Sequence, residues 1–348
     1  MYWLLFFLAA MAMGVSSSPN NNGVFEIYDR YSSEVVEVLG KGGLPKKGGL
    51  DYISYMAARD SRRRQSSPAI TFSPGDATFQ VQTFAECASK VKGLFVRSSA
   101  VNGLLGLGPG NGPEDMDVLS ILASQGIIGN SFSLCFSPNG KGRLIFGDKG
   151  TRNQKRTPLD LTTENEAHNV LIEDIVVNQN VFKHVGLTVF FDSGTTFTVL
   201  SDPAYTFIAD NFNSLIKEPR KQPSPRYFEY CYDLSQNQSS YWTPTLSLIM
   251  KGGQKFDVLF PTFHLHPGNS PFYCLAIIKD DNINIIGQNF MTGYNTVFDR
   301  EKRIMGWKQS KCKGNQFNVT TSAWDAQASS LPIITRVMGL LFYYFLCT

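Results

Sequence analysis

The chain has 348 residues, 43% of them hydrophobic and 18% charged. That length suits two lobes or domains of ~150 residues each, and the apolar share excludes a disordered acidic or basic tail protein. Lys plus Arg number 32 and Asp plus Glu 29, and the resulting net charge of +3 is too small to make nucleic acid the main partner.

Phe 26, Tyr 14 and Gly 30, with 17 scattered Pro, predict many short strands and turns rather than a helical bundle. Six cysteines are few for a disulfide-built mini-fold but suit a large secreted domain with two or three bridges.

In chain order, Met1 to Ala12 (MYWLLFFLAAMA) is an apolar run too short to span a membrane. Small residues follow, with Ala12-x-Gly14 and Val15-x-Ser17 as cleavage triplets, so a signal peptide over residues 1–17 is expected. This segment lacks a leading Lys or Arg, and a buried N-terminal strand is the competing reading. Two glycosylation sequons, at Asn237 and Asn318, agree with secretion.

Residues 18–82 differ from the rest. Gly42-Gly43, Lys46-Lys47 and Gly48-Gly49 form a loop, and Leu50 to Asp60 follows helical spacing up to the basic run Arg62-Arg63-Arg64. A propeptide and a solvated helix with a basic end fit this block equally.

From about residue 90 the pattern turns to strands. Gly142 to Gly147, Asp174 to Val177 and a pair within Val181 to Phe191 are bounded by turn residues. Asp117 to Gln125, stopped by Gly126, predicts a short helix. Asp202-Pro203 predicts the start of a second, with Pro at its first position and a broad apolar face through Ile216.

The most informative segment is Val189 to Thr198 (VFFDSGTTFT). An apolar strand delivers Asp192 to its end, followed by Ser193, Gly194, Thr195 and further hydroxyl residues. Hydroxyl and backbone donors around a carboxylate so placed fix its orientation and favour its ionised form, which suits a group that polarises a water. A capped strand-to-turn Asp is the plain alternative.

Further on come Asn284-Ile285-Ile286-Gly287-Gln288-Asn289, Val297-Phe298-Asp299 and Ile304-Met305-Gly306-Trp307. This combination resembles the pepsin-like aspartic proteases, in their plant branch of nepenthesin-like enzymes and xylanase-inhibitor relatives. Leu104 to Gly108, the helix after Asp117, and Asn130 to Cys135 look like the second half of that family's first lobe.

The resemblance covers about residues 83–312, and Phe25 to Arg64 resembles the prosegment of a plant subgroup. It implies a mainly β, pepsin-like bilobal fold, with a partial N-terminal lobe over 83–165 and a complete C-terminal lobe over 166–312. Asp192 would be catalytic, with Ser193, Gly194 and Thr195 supporting it and Ile285, Ile286 and Gly287 bracing its loop. Disulfides Cys231–Cys274 and Cys135–Cys312 are implied in the same way, and Cys87 is left over.

The family needs two carboxylates sharing one proton, so that they activate water and protonate the carbonyl together. Here Asp192-Ser193-Gly194 is the only Asp-Ser/Thr-Gly triplet. The interval from Asp192 to Ile285, counted back from Leu104, falls inside residues 1–17, so the segment expected to carry the first Asp is missing near Gln80 to Gln82. Two functions follow: an aspartic endopeptidase by descent, inactive or impaired as written, or a non-catalytic binding protein of the same fold, like the glycoside-hydrolase inhibitors. A dimer pairing two copies of Asp192 is disfavoured, because the first-lobe remnant would occupy the partner's place.

Other signals point elsewhere and are weaker. Gly106 to Gly112 is a poor phosphate cradle because of Pro109 and the gap before the helix, and His264-x-His266 lacks a third ligand. No cofactor or metal is expected, and the partner is a peptide or protein substrate. Residues 313–348 combine small residues, a polar spacer and an apolar tail from Val337 to Cys347, the pattern of a glycolipid-anchor signal. A marginal single-span anchor and a terminal strand are the alternatives. Destination is the secretory pathway and cell exterior.

Overall fold

The computed structural model describes residues 15–16, 24–28, 106–109, 117–124, 126–161, 168–236, 238, 240–267 and 270–312. The expectations for Cys87, both sequon asparagines and the C-terminal tail lie outside these residues, as do most of the signal-peptide segment, of which only Val15–Ser16 is described, and most of the prosegment-like block.

Among the described residues the chain is mainly β. In order it forms β1 (Val15–Ser16), β2 (Val24–Tyr28), α1 (Val118–Ser124), β3 (Ser131–Phe136), β4 (Lys141–Phe146) and β5 (Lys155–Pro158). Next come β6 (Asn169–Val177), β7 (Asn180–Phe182), β8 (Leu187–Phe191), β9 (Thr198–Leu200), α2 (Ala204–Leu215) and β10 (Cys231–Asp233). Then follow β11 (Leu246–Met250), β12 (Gln254–Val258), β13 (Thr262–Leu265), β14 (Phe272–Leu275), β15 (Ile277–Lys279) and β16 (Ile285–Ile286). The order ends with α3 (Gln288–Met291), β17 (Tyr294–Asp299) and β18 (Ile304–Gln309).

Among the described residues there are three sheets: a seven-stranded one in the order β1-β2-β4-β3-β17-β18-β5, a three-stranded one, β10-β14-β13, and an eight-stranded one, β12-β11-β6-β8-β16-β9-β15 with β7 paired to β6. The first sheet joins strands from both ends of the chain. β3 pairs antiparallel with β17, Phe132 opposite Phe298 and Leu134 opposite Thr296. Every residue of β3 and β17 is buried, as central strands covered on both faces must be.

The described residues of 83–165 and of 166–312 therefore share a sheet, and they share a core. One apolar cluster contains Leu119, Phe132 and Phe146 together with Ile175, Phe212, Phe256 and Trp307. At about 25 cal/mol per Å² of buried apolar surface, these large side chains supply the main drive to fold. A second cluster, with Phe197, Phe228, Leu265 and Phe272, lies around the Cys231–Cys274 bridge.

Cys135, in β3, is joined to Cys312, just beyond β18, across 177 residues. Among the described residues no cysteine is free.

The helices differ slightly from the sequence pattern. Gly126 ends α1 in the left-handed region at φ +68°, a conformation that costs other residues energy. At α2, Pro203 occupies the cap rather than the first helical position. Next to it, Asp202 Oδ1 accepts from Thr206 N at 3.2 Å and from Thr206 Oγ1 at 2.6 Å.

β2 lies in the block whose sequence resembles a prosegment, yet it pairs antiparallel with β4, placing Glu26 opposite Arg143. No periodicity within residues 18–82 marks this strand for that sheet.

Candidate active site

β8 ends at Phe191 and delivers Asp192 into a turn. The main chain closes it, with Thr195 N donating to the Asp192 carbonyl at 3.1 Å. The carboxylate is then held at both oxygens. Gly194 N donates to Oδ1 at 2.9 Å, and Thr195 Oγ1 donates to Oδ2 at 2.6 Å. Hydrogen bonds to a charged acceptor are short and strong, and they fix the plane of the carboxylate. Asp192, Ser193 and Gly194 are half-buried, whereas Thr195 is fully buried.

The turn is braced from behind by β16, which runs parallel to β8 with Ile285 opposite Phe190 and Ile286 opposite Phe191. Asp192 N donates to the Ile286 carbonyl at 3.0 Å. Both isoleucines are buried.

At Gly287 the two segments cross closely. A Cβ there would stand 2.7 Å from the Phe197 carbonyl carbon and 2.9 Å from Thr198 N, both backbone atoms. Glycine is required for that close approach. Gly287 N donates to Thr198 Oγ1 at 3.1 Å, and Gln288 N to the Thr195 carbonyl at 2.7 Å. The seven residues singled out from Asp192 to Thr195 and Ile285 to Gly287 thus stand in one constellation.

Sequence reasoning did not single out four residues that complete it. Asn289 Oδ1 accepts from Thr198 N at 2.9 Å and Thr198 Oγ1 at 3.0 Å, while its Nδ2 donates to the Ala276 carbonyl at 2.8 Å. Asn284 Oδ1 accepts from Ser201 N at 2.8 Å and Ser201 Oγ at 3.0 Å. The signal was present as an Asn on either side of Ile-Ile-Gly and a Thr and Ser shortly after the Asp, but nothing in spacing says which meets which.

Among the described residues no group of three or more His, Cys, Asp or Glu side chains could hold a metal ion. His264 and His266 do come together, with ring centroids 4.1 Å apart. Burial, then the charge of His266, push the His264 imidazole below its ordinary pKa.

Two orthogonal features, a sheet built from both ends of the chain and an Asp turn crossed by a hydrophobic-hydrophobic-Gly strand, define the pepsin-like aspartic protease fold. The seed protein conglutin gamma, a unique basic 7S globulin from lupine, has this shape too, with a TM-score of 0.51, 20% identity, and 63% of this chain and 59% of that chain covered. A model of the eukaryotic aspartyl protease family matches residues 67–309, and the chain belongs to that family.

Among its relatives, Aspartyl protease family protein 1 of Arabidopsis thaliana is 41% identical over 283 residues, covering 81% of this chain and 52% of the relative. Aspartic proteinase-like protein 1 of the same plant is 31% identical over 267 residues, covering 75% of this chain and 49% of the relative. The chain spans about half the length of these relatives.

Proposed function

We propose that Asp192 is one member of the carboxylate pair with which an aspartic endopeptidase hydrolyses peptide bonds, and that this chain alone does not complete the pair. The reading rests on the fixed carboxylate. Gly194 N and Thr195 Oγ1 each hold one of its oxygens, and β16 pins the strand beneath it. In the reaction, water held between two carboxylates attacks the scissile carbonyl carbon. The ionised carboxylate takes the water's proton while the protonated one donates to the carbonyl oxygen.

With one Asp-Ser/Thr-Gly triplet in the chain, this exchange lacks its second carboxylate. General acid–base assistance alone is worth ~10²–10⁴-fold, and the positioning of the water is lost with it. The substrate class is an extended peptide or protein segment. Entry into the secretory pathway, glycans at Asn237 and Asn318 and a C-terminal lipid anchor belong to the same proposal, resting on sequence pattern.

The test is an assay of the purified protein on denatured protein substrates at acidic pH, with and without pepstatin, beside Asp192→Ala. No cleavage in either protein is the expected result. Pepstatin-sensitive cleavage by the parent, lost in Asp192→Ala, overturns the claim that the pair is incomplete.

A second reading, a non-catalytic binder resembling glycoside-hydrolase inhibitors, is favoured by the single triplet. Binding to a glycoside hydrolase that persists in Asp192→Ala supports it, and no binding to a panel of such enzymes removes it.

A further inference from the structure

Away from the Asp192 turn, three ionisable side chains meet in the interior. His168 precedes β6 and is 5% exposed, Arg300 follows β17 and is 6% exposed, and Asp117 precedes α1. Arg300 Nε donates to His168 Nε2 at 3.0 Å, and Arg300 Nη1 donates to Asp117 Oδ1 at 2.8 Å. Its Nη2 donates to the Leu107 carbonyl.

Asp117 in turn holds the start of α1, accepting from Leu119 N at 3.0 Å and Ser120 N at 3.1 Å. Arg300 is anchored on its other side, where its main-chain N donates to the Asn130 carbonyl at 3.0 Å. One guanidinium thereby ties Leu107 and α1, from the first-lobe portion, to the shared sheet and to the start of β6.

Guanidinium has donors only, so His168 Nε2 must accept, and the ring is neutral with its proton on Nδ1. Its surroundings are apolar. The imidazole lies edge-on to Phe132 at 5.4 Å and against Phe298 at 4.8 Å. Arg300 lies 5.8 Å over the Phe132 ring.

A proton placed on Nε2 would set a donor against a donor and two cations side by side in a buried site. Burial first, and then the Arg300 charge, hold the imidazole well below its ordinary pKa. Among the described residues the charged groups facing it are Arg300, from the turn after β17, and behind it Asp117, which precedes α1. β3 and β17 present Phe132 and Phe298, and β8 carries no ionisable residue, its Phe191 N donating to the His168 carbonyl at 3.4 Å. Glu164 and Glu166 precede His168 in sequence and lie outside the described residues.

We infer that the chain of contacts His168–Arg300–Asp117 is an acid-sensitive latch, which fastens Leu107 and α1 to the shared sheet while His168 is neutral and releases them when Nε2 takes up one proton. The released state binds one more proton than the fastened one. Its share therefore rises about tenfold per pH unit, from the ordinary imidazole pKa down to that of buried His168. The latch makes no use of Asp192 and stands whether or not the chain hydrolyses peptides.

Hydrogen exchange of the full chain between pH 7 and 5 tests it. After correction for intrinsic exchange, the opening constant of α1 amides such as Ile121 N should rise about tenfold per unit once pH falls below about 6.5, the ordinary imidazole value, while those of β11 and β12 rise less. His168→Gln keeps a non-titrating acceptor for Arg300, and in it the α1 opening constant should stay level. An α1 rise of the same size in His168→Gln, no rise in the parent, or an equal rise in β11 and β12 each overturns the latch.

Should that variant not fold, histidine NMR of the parent decides. Of its four imidazoles, the one showing contacts to Phe132 and Phe298 should stay neutral as pH falls through the ordinary imidazole range. Titration of that ring at about 6.5, the ordinary value, overturns the proposal.

Discussion

Asn289 Oδ1 stands within hydrogen-bond reach of both Thr198 N, at 2.9 Å, and Thr198 Oγ1, at 3.0 Å. Through Thr198 the contact continues to Gly287 N. The side chain that follows Ile-Ile-Gly thus closes a ring with the strand that follows the Asp192 turn. Asn289→Leu, similar in volume, leaves the buried Thr198 donors and the Ala276 carbonyl without this partner. Each orphaned buried group costs about 1–3 kcal/mol, and a clear fall in the urea midpoint with an unchanged slope is the expected measurement.

Gly287→Ala should be as damaging for a steric reason. The atoms a Cβ would meet are backbone, at 2.7 and 2.9 Å, and cannot swing aside as a side chain would. Overpacking of this kind costs about 1–3 kcal/mol or more. Because Phe197 and Thr198 follow the Asp192 turn directly, amide NMR shifts of Gly194 and Thr195 should move in the variant, whereas those of β3 and β4 should not.

The Cys135–Cys312 bridge closes a loop of 177 positions. In the chain-entropy account a loop of that size is worth about 5 kcal/mol. Paired Cys135→Ala and Cys312→Ala substitutions should lower the melting temperature more than the pair at Cys231 and Cys274, whose separation is 43. Calorimetry of the two double variants makes the comparison.

Removing Arg300 should be costly because its partners are buried with it. Its side chain is 2% exposed and that of Asp117 10%. Breaking a buried pair from one side typically costs about 3–5 kcal/mol. Arg300→Met preserves much of the packing against Phe132, so the loss in denaturant stability reads the charge and its hydrogen bonds.

Acid should weaken the protein in two stages. His168 has a folded pKa below its unfolded value, so its contribution is full above the ordinary imidazole range and declines as pH falls through it. Glu301 behaves likewise at lower pH. Its hydrogen bonds from Lys149 and Asn130 N hold the carboxyl below its ordinary value, and that contribution fades as pH drops through the carboxylate range. Both partners of the Lys149–Glu301 pair are over two-fifths exposed, so this stage is well under about 1 kcal/mol. Urea midpoints against pH should decline less steeply than in the parent through the upper range in His168→Gln and through the lower range in Glu301→Gln, the remainder coming from His264 above and from Asp202 and Asp257 below.

Much of the site is legible because its parts are local. An apolar strand ending in Asp-Ser-Gly-Thr specifies a turn whose donors fold back on the Asp, and the structure places Gly194 N and Thr195 Oγ1 on its two oxygens. The apolar run Ile175-Val176-Val177 likewise marks part of β6. Asn284 and Asn289 were visible as residues and not as partners, since Ser201 and Thr198 lie 83 and 91 positions away.

The sequence by itself determined the mainly β architecture, the family and the turn that carries Asp192, because each depends on residues within a few positions of one another or on a motif with a fixed order. Only the tertiary structure decided that β2 pairs with β4, that one core spans both portions of the chain, and that Arg300 lies between His168 and Asp117. Those choices depend on long-range pairing and burial, where the same Arg or His would be an ordinary surface residue until the sheets close around it.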